Sequence, residues 1–168
     1  EMEKMADRDA LTGLVNRRGL DSAIELELKK AIDDKSSLAL MLVDVDKFKP
    51  FNDNLGHPAG DVCLEEVARL LTGVMHRELD IITRYGGEEF AIVLPNTDTA
   101  RTRQVADRII RDCGDRKCPH GFSEVAKHVT VSGGIDILES ETSAKELLQK
   151  AEKLLYRAKE QGRNQFVW

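Results

Sequence analysis

Two pairs of carboxylates stand where side chains from separate segments can converge. Asp44 and Asp46 close the apolar run Leu38-Ala39-Leu40-Met41-Leu42-Val43, and Glu88 and Glu89 follow Gly86-Gly87. If these segments are neighbouring strands, the carboxylates meet. Such a cluster repels itself and raises its own pKa values unless a cation compensates it. Hard oxygen donors with no His or Cys nearby favour Mg²⁺, with Mn²⁺ as the alternative, over zinc. Alternate residues on a strand share a face, so Asp44 and Asp46 point the same way. Glu88 and Glu89 need not, and two different jobs are expected of them. The plain alternative is that these acids merely cap a sheet edge.

Gly86-Gly87 offers backbone that a ligand can approach closely, although an ordinary tight hairpin would also use the pair. Arg157, Lys159 and Arg163 gather at the end of the last helical pattern, with Arg163 beyond Gly162. Cations also suit a helix C-terminus through its dipole. Acids for a metal, open glycine backbone and basic groups together suit a triphosphate. The set resembles palm-type polymerase chemistry, in which metal ions hold a triphosphate and help a 3′-hydroxyl attack the α-phosphorus.

The elements that must position these groups are readable from periodicity. A helix is expected from Asn16, its N-cap, to about Asp33, with Leu20, Ala23, Ile24, Leu28, Ala31 and Ile32 inward. Ser37 to Asp46 reads as a strand covered on both faces, because its apolar run does not alternate. The Pro- and Gly-containing stretch 47–61 reads as a loop with at most a short helical turn. A helix from about Asp61 to His76 follows, carried by Leu64, Val67, Leu70, Leu71 and Val74. Ile81 to Leu94 reads as a β-hairpin around the glycine pair. Thr97 or Asp98 caps a third helix bearing Val105, Ala106, Ile109 and Ile110. The stretch 113–127 reads as an irregular connection and Val129 to Leu138 as a strand. Ser143 and Glu146 form a capping box for the last helix, whose inner stripe is Leu147, Leu148, Ala151, Leu154, Leu155 and Ala158. Irregular alternation of strands and helices with a hairpin predicts an α/β (α+β) fold, a mixed central sheet with helices on its faces.

With 168 residues, 41% of them apolar and 33% charged, the chain fits one soluble domain. The net charge of −5 gives no case for nucleic-acid binding. No run is long enough to span a bilayer, and no signal peptide opens the chain. The charged opening without Met reads as a piece cut from a longer protein. Three cysteines without framework spacing suit a reducing cytosol, so a cytoplasmic location is expected, with any membrane anchor in other regions of the parent protein. Cys113, Cys118 and His120 match no zinc pattern. They read as solvent-facing thiols and a loop histidine.

Five ordered segments carry a family resemblance. They are Asp9-Ala10-Leu11-Thr12-Gly13-Leu14-Val15-Asn16-Arg17; Asp44-Val45-Asp46-Lys47-Phe48-Lys49; Asn52-Asp53-Asn54-Leu55-Gly56-His57-Pro58-Ala59-Gly60-Asp61; Arg84-Tyr85-Gly86-Gly87-Glu88-Glu89-Phe90; and Tyr156-Arg157-Ala158-Lys159-Glu160-Gln161-Gly162-Arg163-Asn164. Together they resemble the GGDEF diguanylate cyclase domains, in the GGEEF form. The resemblance implies a nucleotidyl-cyclase, palm-like sheet with an active-site β-hairpin. The domain would occupy 9–168, with 1–8 the end of an incoming linker helix from a missing sensor or regulatory domain. It implies a bacterial signalling enzyme that condenses two GTP into cyclic di-GMP, releasing two pyrophosphates, across a homodimer.

The same resemblance assigns roles. Asp44 and one or both of Glu88 and Glu89 would bind Mg²⁺, with the Val45 carbonyl assisting, and Asp44, Glu88 and Glu89 would be the catalytic groups, Glu88 also serving near the attacking hydroxyl. Asn52 and Asp61 would hold the guanine edge. Backbone amides around Lys47 and Phe48, with Lys159 and Arg163, would hold phosphates, and Gly86 and Gly87 would admit the nucleotide. A carboxylate such as Asp61 accepts from the paired N1–H and N2–H donors of guanine, which adenine lacks, so GTP is expected over ATP. Asp61 could equally be a helix N-cap. Arg77-Glu78-Leu79-Asp80 stands where the family's product-inhibition site does, with Arg108 contributing. Asp9, Asn16, Arg17 and Arg84 are expected to brace the structure, and His57 to serve its turn. The added glycine in Ser132-Gly133-Gly134 is expected to loosen its strand. A non-catalytic module that binds GTP or cyclic di-GMP is the rival reading.

Overall fold

The computed structural model describes residues 6–75, 77–116, 118–121 and 123–168. The linker helix expected over 1–8 therefore lies mostly outside the described residues, as does His76. In chain order the elements are β1 (Val15–Asn16), α1 (Arg17–Asp34), β2 (Leu38–Val45), α2 (Phe48–Leu55), α3 (His57–Val74), β3 (Ile81–Arg84), β4 (Glu89–Pro95), α4 (Thr99–Arg116), β5 (Val131–Ile137), α5 (Ala144–Glu160) and β6 (Phe166–Val167). The strands form one mixed sheet in the order β1-β3-β4-β2-β5-β6. The terminal strands pair in parallel and the inner ones antiparallel.

β2 is buried along its whole length, which explains why its sequence does not alternate. Ala39, Met41, Val43 and Val45 face one core with Phe48, Leu64, Val67, Leu71, Val105 and Ile109 of α2, α3 and α4. Leu38, Leu40 and Leu42 face the other, with Leu20, Ile24 and Leu28 of α1 and Leu147, Ala151 and Leu155 of α5. Asp44 continues the second set, so it emerges on the α1/α5 face.

Helix ends follow local chemistry. Asn16 accepts from Gly19 N at 3.0 Å and starts α1. Asp98, not Thr97, caps α4, accepting from Arg101 N at 2.8 Å. Ser143 Oγ accepts from Glu146 N at 3.2 Å. The capping box closes one residue early, because the Glu146 carboxylate takes Thr142 N instead of Ser143 N. Ile32 is exposed at the end of α1 rather than inward.

Three expectations are corrected. The stretch 47–61 is not a loop but two helices meeting at Gly56. Pro50 and Pro58 fall in the first turns of α2 and α3, where a missing N–H costs nothing. Asp61 therefore lies inside α3 and is not its N-cap. The stretch 113–127 begins as the last turn of α4, through Arg116, before it becomes irregular. Gly133 and Gly134 do not loosen β5. A Cβ on Gly133 would overlap the Phe166 ring, and one on Gly134 would overlap the α5 backbone at Ala151 and Leu155. Both glycines permit close packing.

Candidate functional site

β2 and β4 pair in a register that sets Asp44 opposite Glu89. Glu88 is in the turn, and its carbonyl accepts from Val45 N at 3.1 Å. Gly86 and Gly87 form the rest of the turn, closed by Tyr85 N donating to Glu89 O at 2.8 Å. Asp44, Glu88 and Glu89 are thus neighbours, joined by Val45 in the backbone between them.

The two β2 acids differ in availability. Asp46 is consumed structurally: Thr130 Oγ1, Ser132 Oγ and Asn164 N donate to its two oxygens at 2.8, 2.7 and 3.1 Å. Asp44 is buried, receives Lys159 Nζ on Oδ2, and leaves Oδ1 buried with no donor. Burial pushes its carboxyl up, Lys159 pulls it back, and the charges of Glu88 and Glu89 add to the rise, leaving it at about 6. A buried carboxylate oxygen without a donor, beside two further carboxylates, fits a hard divalent cation. Among the described residues no three acid, His or Cys side chains already stand in a ligating arrangement. Lys159 neutralises Asp44 in that state.

Leu42, Val43, Glu89, Glu152, Leu155, Tyr156 and Lys159 line a cleft between the sheet and α5. Glu152 and Tyr156 were not foreseen as part of it. Arg163 follows the end of α5 in a left-handed conformation, φ 63°. Its N–H donates to Ala158 O at 2.9 Å, and its guanidinium has no ion pair among the described residues.

Lys47 also adopts a left-handed conformation, φ 54°. It precedes Phe48, the buried first residue of α2. Asn52 lies on α2 with Oδ1 buried and unpartnered. It packs against Gly60 of α3, where a Cβ would overlap that oxygen. Asn52 and the exposed Asp61 are therefore brought together where two helices cross at a glycine.

Arg77 and Asp80 sit before β3, apart from this cluster in the sequence. They pair with one another at 2.5 Å, and Arg77 also donates to Pro95 O at 2.9 Å and Thr97 Oγ1 at 2.6 Å. Arg108 is on α4, with Nε 3.6 Å from Asp112. Arg84 braces as expected, 3.3 Å from Asp9 and donating to Gly87 O at 3.0 Å. The Arg17 guanidinium lies 4.5 Å from the Tyr85 ring centroid.

The thiols are not solvent-facing: Cys63 and Cys113 are buried, Cys118 is half-buried, and all three are free. Burial pushes the Cys63 and Cys113 thiols up to about 12, so they pack as small apolar groups. His120 lies in the connection between α4 and β5, as expected of a loop histidine, but it is buried.

A family model described as "Diguanylate cyclase, GGDEF domain" matches residues 6–165. The chain is 36% identical over 164 residues to diguanylate cyclase DgcP of Pseudomonas aeruginosa, covering 98% of this chain and 24% of that protein. It is 36% identical over 166 residues to the response regulator PleD of Caulobacter vibrioides, covering 98% and 36%. It thus spans roughly a quarter to a third of the length of these curated relatives. The solved GGDEF domain of DgcB from Caulobacter crescentus, in complex with c-di-GMP, matches with a TM-score of 0.87 at 28% identity, covering 96% of this chain and 92% of that one. The active GGEEF domain of a diguanylate cyclase from Vibrio cholerae matches at 0.80 and 31%, covering 92% and 96%. A mixed sheet whose hairpin sets Glu89 against Asp44, and a family match from residue 6 to residue 165, lead to one assignment: the chain belongs to the GGDEF domain family.

Proposed function

We propose that this chain is a diguanylate cyclase that joins two GTP molecules into cyclic di-GMP with release of two pyrophosphates. The observation that carries the reading is Asp44, buried with an unsatisfied oxygen, opposite Glu89 and paired with Lys159, both of which line a cleft. Asp44, Glu88, Glu89 and the Val45 carbonyl would hold Mg²⁺, or Mn²⁺ in its place. The bound ion would supply charge neutralisation on the triphosphate and acidify the attacking hydroxyl.

The chain's own groups do the rest. Backbone amides of Lys47 and Phe48, at the N-terminus of α2, receive phosphate oxygens. Lys159 exchanges its Asp44 partner for the triphosphate, and Arg163 adds a second cation. Asn52 and Asp61 accept and donate along the guanine edge, so a base without the N1–H and N2–H pair leaves these acceptors unpaired, Asn52 Oδ1 among them buried. Gly86 and Gly87 let the nucleotide lie against the hairpin, and Glu88 stands near the attacking 3′-hydroxyl as a proton acceptor.

One domain holds one GTP and the product contains two. Catalysis therefore needs two copies facing each other across a two-fold axis. Arg77 and Asp80, with Arg108, form a separate site at which cyclic di-GMP inhibits: an arginine fork grips phosphate or guanine, and a carboxylate accepts guanine donors.

The test is incubation with GTP and Mg²⁺ over a range of protein concentrations, followed by chromatography. Cyclic di-GMP formed at a rate that rises faster than linearly with protein supports the reading. Nucleotide binding without product would make the chain a binding module instead, and equal turnover of ATP would remove the guanine assignment.

A further inference from the structure

The connection between α4 and β5 has no role in the reading above, yet it reaches the nucleotide site. His120 is buried to 1% exposure. Its backbone is held in a small bridge, with His120 N donating to Lys127 O at 3.0 Å and Val129 N to Cys118 O at 2.7 Å. Its ring nitrogen Nε2 stands 2.9 Å from the carbonyl oxygen of Lys47. A carbonyl only accepts, so this contact fixes the ring proton on Nε2.

Lys47 is where the chain needs holding. It is a non-glycine residue in the left-handed region, a conformation that persists only when its surroundings impose it. Its carbonyl accepts twice, from Phe51 N at 3.2 Å as the first turn of α2 closes and from His120. The His120 ring also meets Phe51 edge-on, with centroids 5.1 Å apart, and Phe51 stacks on Phe48. On the other side of the turn, Asp46 N donates to Thr130 O at 2.9 Å. Residues 46 and 47 are therefore gripped from both sides by one connection, Asp46 by its end and Lys47 by His120.

We propose that His120 is a positioning residue for the triphosphate: by donating to the Lys47 carbonyl, it fixes the turn whose amides receive phosphate. The inference rests on the reading of this chain as a GTP-binding cyclase. His120 touches no substrate and acts through Lys47.

The test compares His120→Gln with His120→Met in the full chain. The two side chains are close in size and both lack the ring, so loss of packing against Phe51 is common to them. Only Gln can place an N–H near the Lys47 carbonyl. Affinity for a non-reactive GTP analogue and KM for GTP are measured beside the melting temperature. The expected result is Met about tenfold weaker than Gln in affinity and in KM, with both variants folded at the assay temperature and a kcat changed less than about threefold, the effect of one hydrogen bond. Equal affinity and KM in the two variants overturns the proposal. Should loss of the ring unfold both, His120→Phe keeps the ring without the donor: a tenfold loss supports the proposal, and wild-type affinity overturns it. If the unaltered chain binds no GTP, the reading of the site fails and this inference goes with it. If the unaltered chain binds GTP and the variants do not separate, this inference fails alone.

Discussion

Lys159, near the end of α5, donates its ammonium to Oδ2 of Asp44 at the end of β2, while Oδ1 of the same carboxyl is buried without a donor. The pair joins a helix and a strand at the position where metal and triphosphate would meet. Asp44 thus carries a cost that the fold does not need: burial and the neighbouring charges of Glu88 and Glu89. Replacing it by Asn removes the charge that makes both costly. The prediction is that Asp44→Asn melts at or up to about 5 °C above the unaltered chain near neutral pH, while cyclic di-GMP formation falls by about 100-fold or more. A thermal melt and a chromatographic assay on one preparation check both halves. A stable and still active Asp44→Asn chain would remove Asp44 from the metal site.

Gly60→Ala sets two effects against each other. In a helix interior the change should stabilise by about 1 kcal/mol through propensity. Here the new methyl would overlap Asn52 Oδ1 and approach Phe48, an overpacking cost of about 1–3 kcal/mol. Overlap should win. The variant is expected to lose about 1–2 kcal/mol of stability and, with Asn52 displaced, to bind GTP about tenfold more weakly. Denaturant unfolding and analogue binding measure the two.

The sequence made the scaffold legible where physics leaves one option. A non-alternating apolar run had to be a strand covered twice, and β2 is that strand. The glycine pair marked the hairpin, but its register against Asp44 came only from the structure, because neither apolar run says which strand it pairs with. The stretch 47–61 was misread because Pro and Gly signal breaks, yet Pro50 and Pro58 occupy first turns where proline is harmless. Asp44 and Asp46 are chemically identical in the sequence, and only the placement of Thr130, Ser132 and Asn164 shows that Asp46 is used up. His120 left no signal at all, because its partner Lys47 is 73 positions away and no periodicity links them.

Gly134→Ala should be far more damaging than its chemistry suggests. The added methyl would meet backbone atoms of α5 at Ala151 and Leu155, which cannot rotate aside. At Gly133 the obstacle is the Phe166 ring, a side chain that can move. The expected costs are about 3 kcal/mol or more at Gly134 and about 1–2 kcal/mol at Gly133. Urea titration of both variants checks the order, which would reverse if α5 could lift from the sheet.

Asp136 and Glu141 set a pH dependence at the other end of the sheet. Burial pushes the Asp136 carboxyl up to about 7, with the Glu141 charge adding to the rise. Burial also acts to raise Glu141, but the ion pair with Lys150 and backbone donors outweigh it and hold the carboxyl at about 2. A raised acid contributes stability below its unfolded pKa and loses it as pH rises through the folded value. For Asp136 the loss runs from about pH 4 to about pH 7. Glu141 acts oppositely, its contribution being lost as pH falls toward about 2. Asp136→Asn should therefore gain melting temperature relative to the unaltered chain between about pH 4 and about pH 7 and hold a constant advantage above that. Paired melts across that range measure it, and a flat difference would show that burial does not raise the Asp136 carboxyl.

Arg77 is engaged on several sides, by both oxygens of Asp80, by Pro95 O and by Thr97 Oγ1. If cyclic di-GMP inhibits at this site, it must draw the guanidinium away from some of these partners or use donors that remain. Inhibition and stability are therefore linked at one residue. Arg77→Ala should weaken inhibition by added cyclic di-GMP about tenfold or more and lower stability by about 1–3 kcal/mol, because Asp80 is left buried without its partner. Arg77→Lys keeps the charge without the fork and should relieve inhibition nearly as well at a smaller stability cost. Initial rates against added product, with a melt of each variant, separate these outcomes. Unchanged inhibition in a folded Arg77→Ala chain would make the Arg77–Asp80 pair a brace between the β3 approach and the end of β4, with no part in regulation.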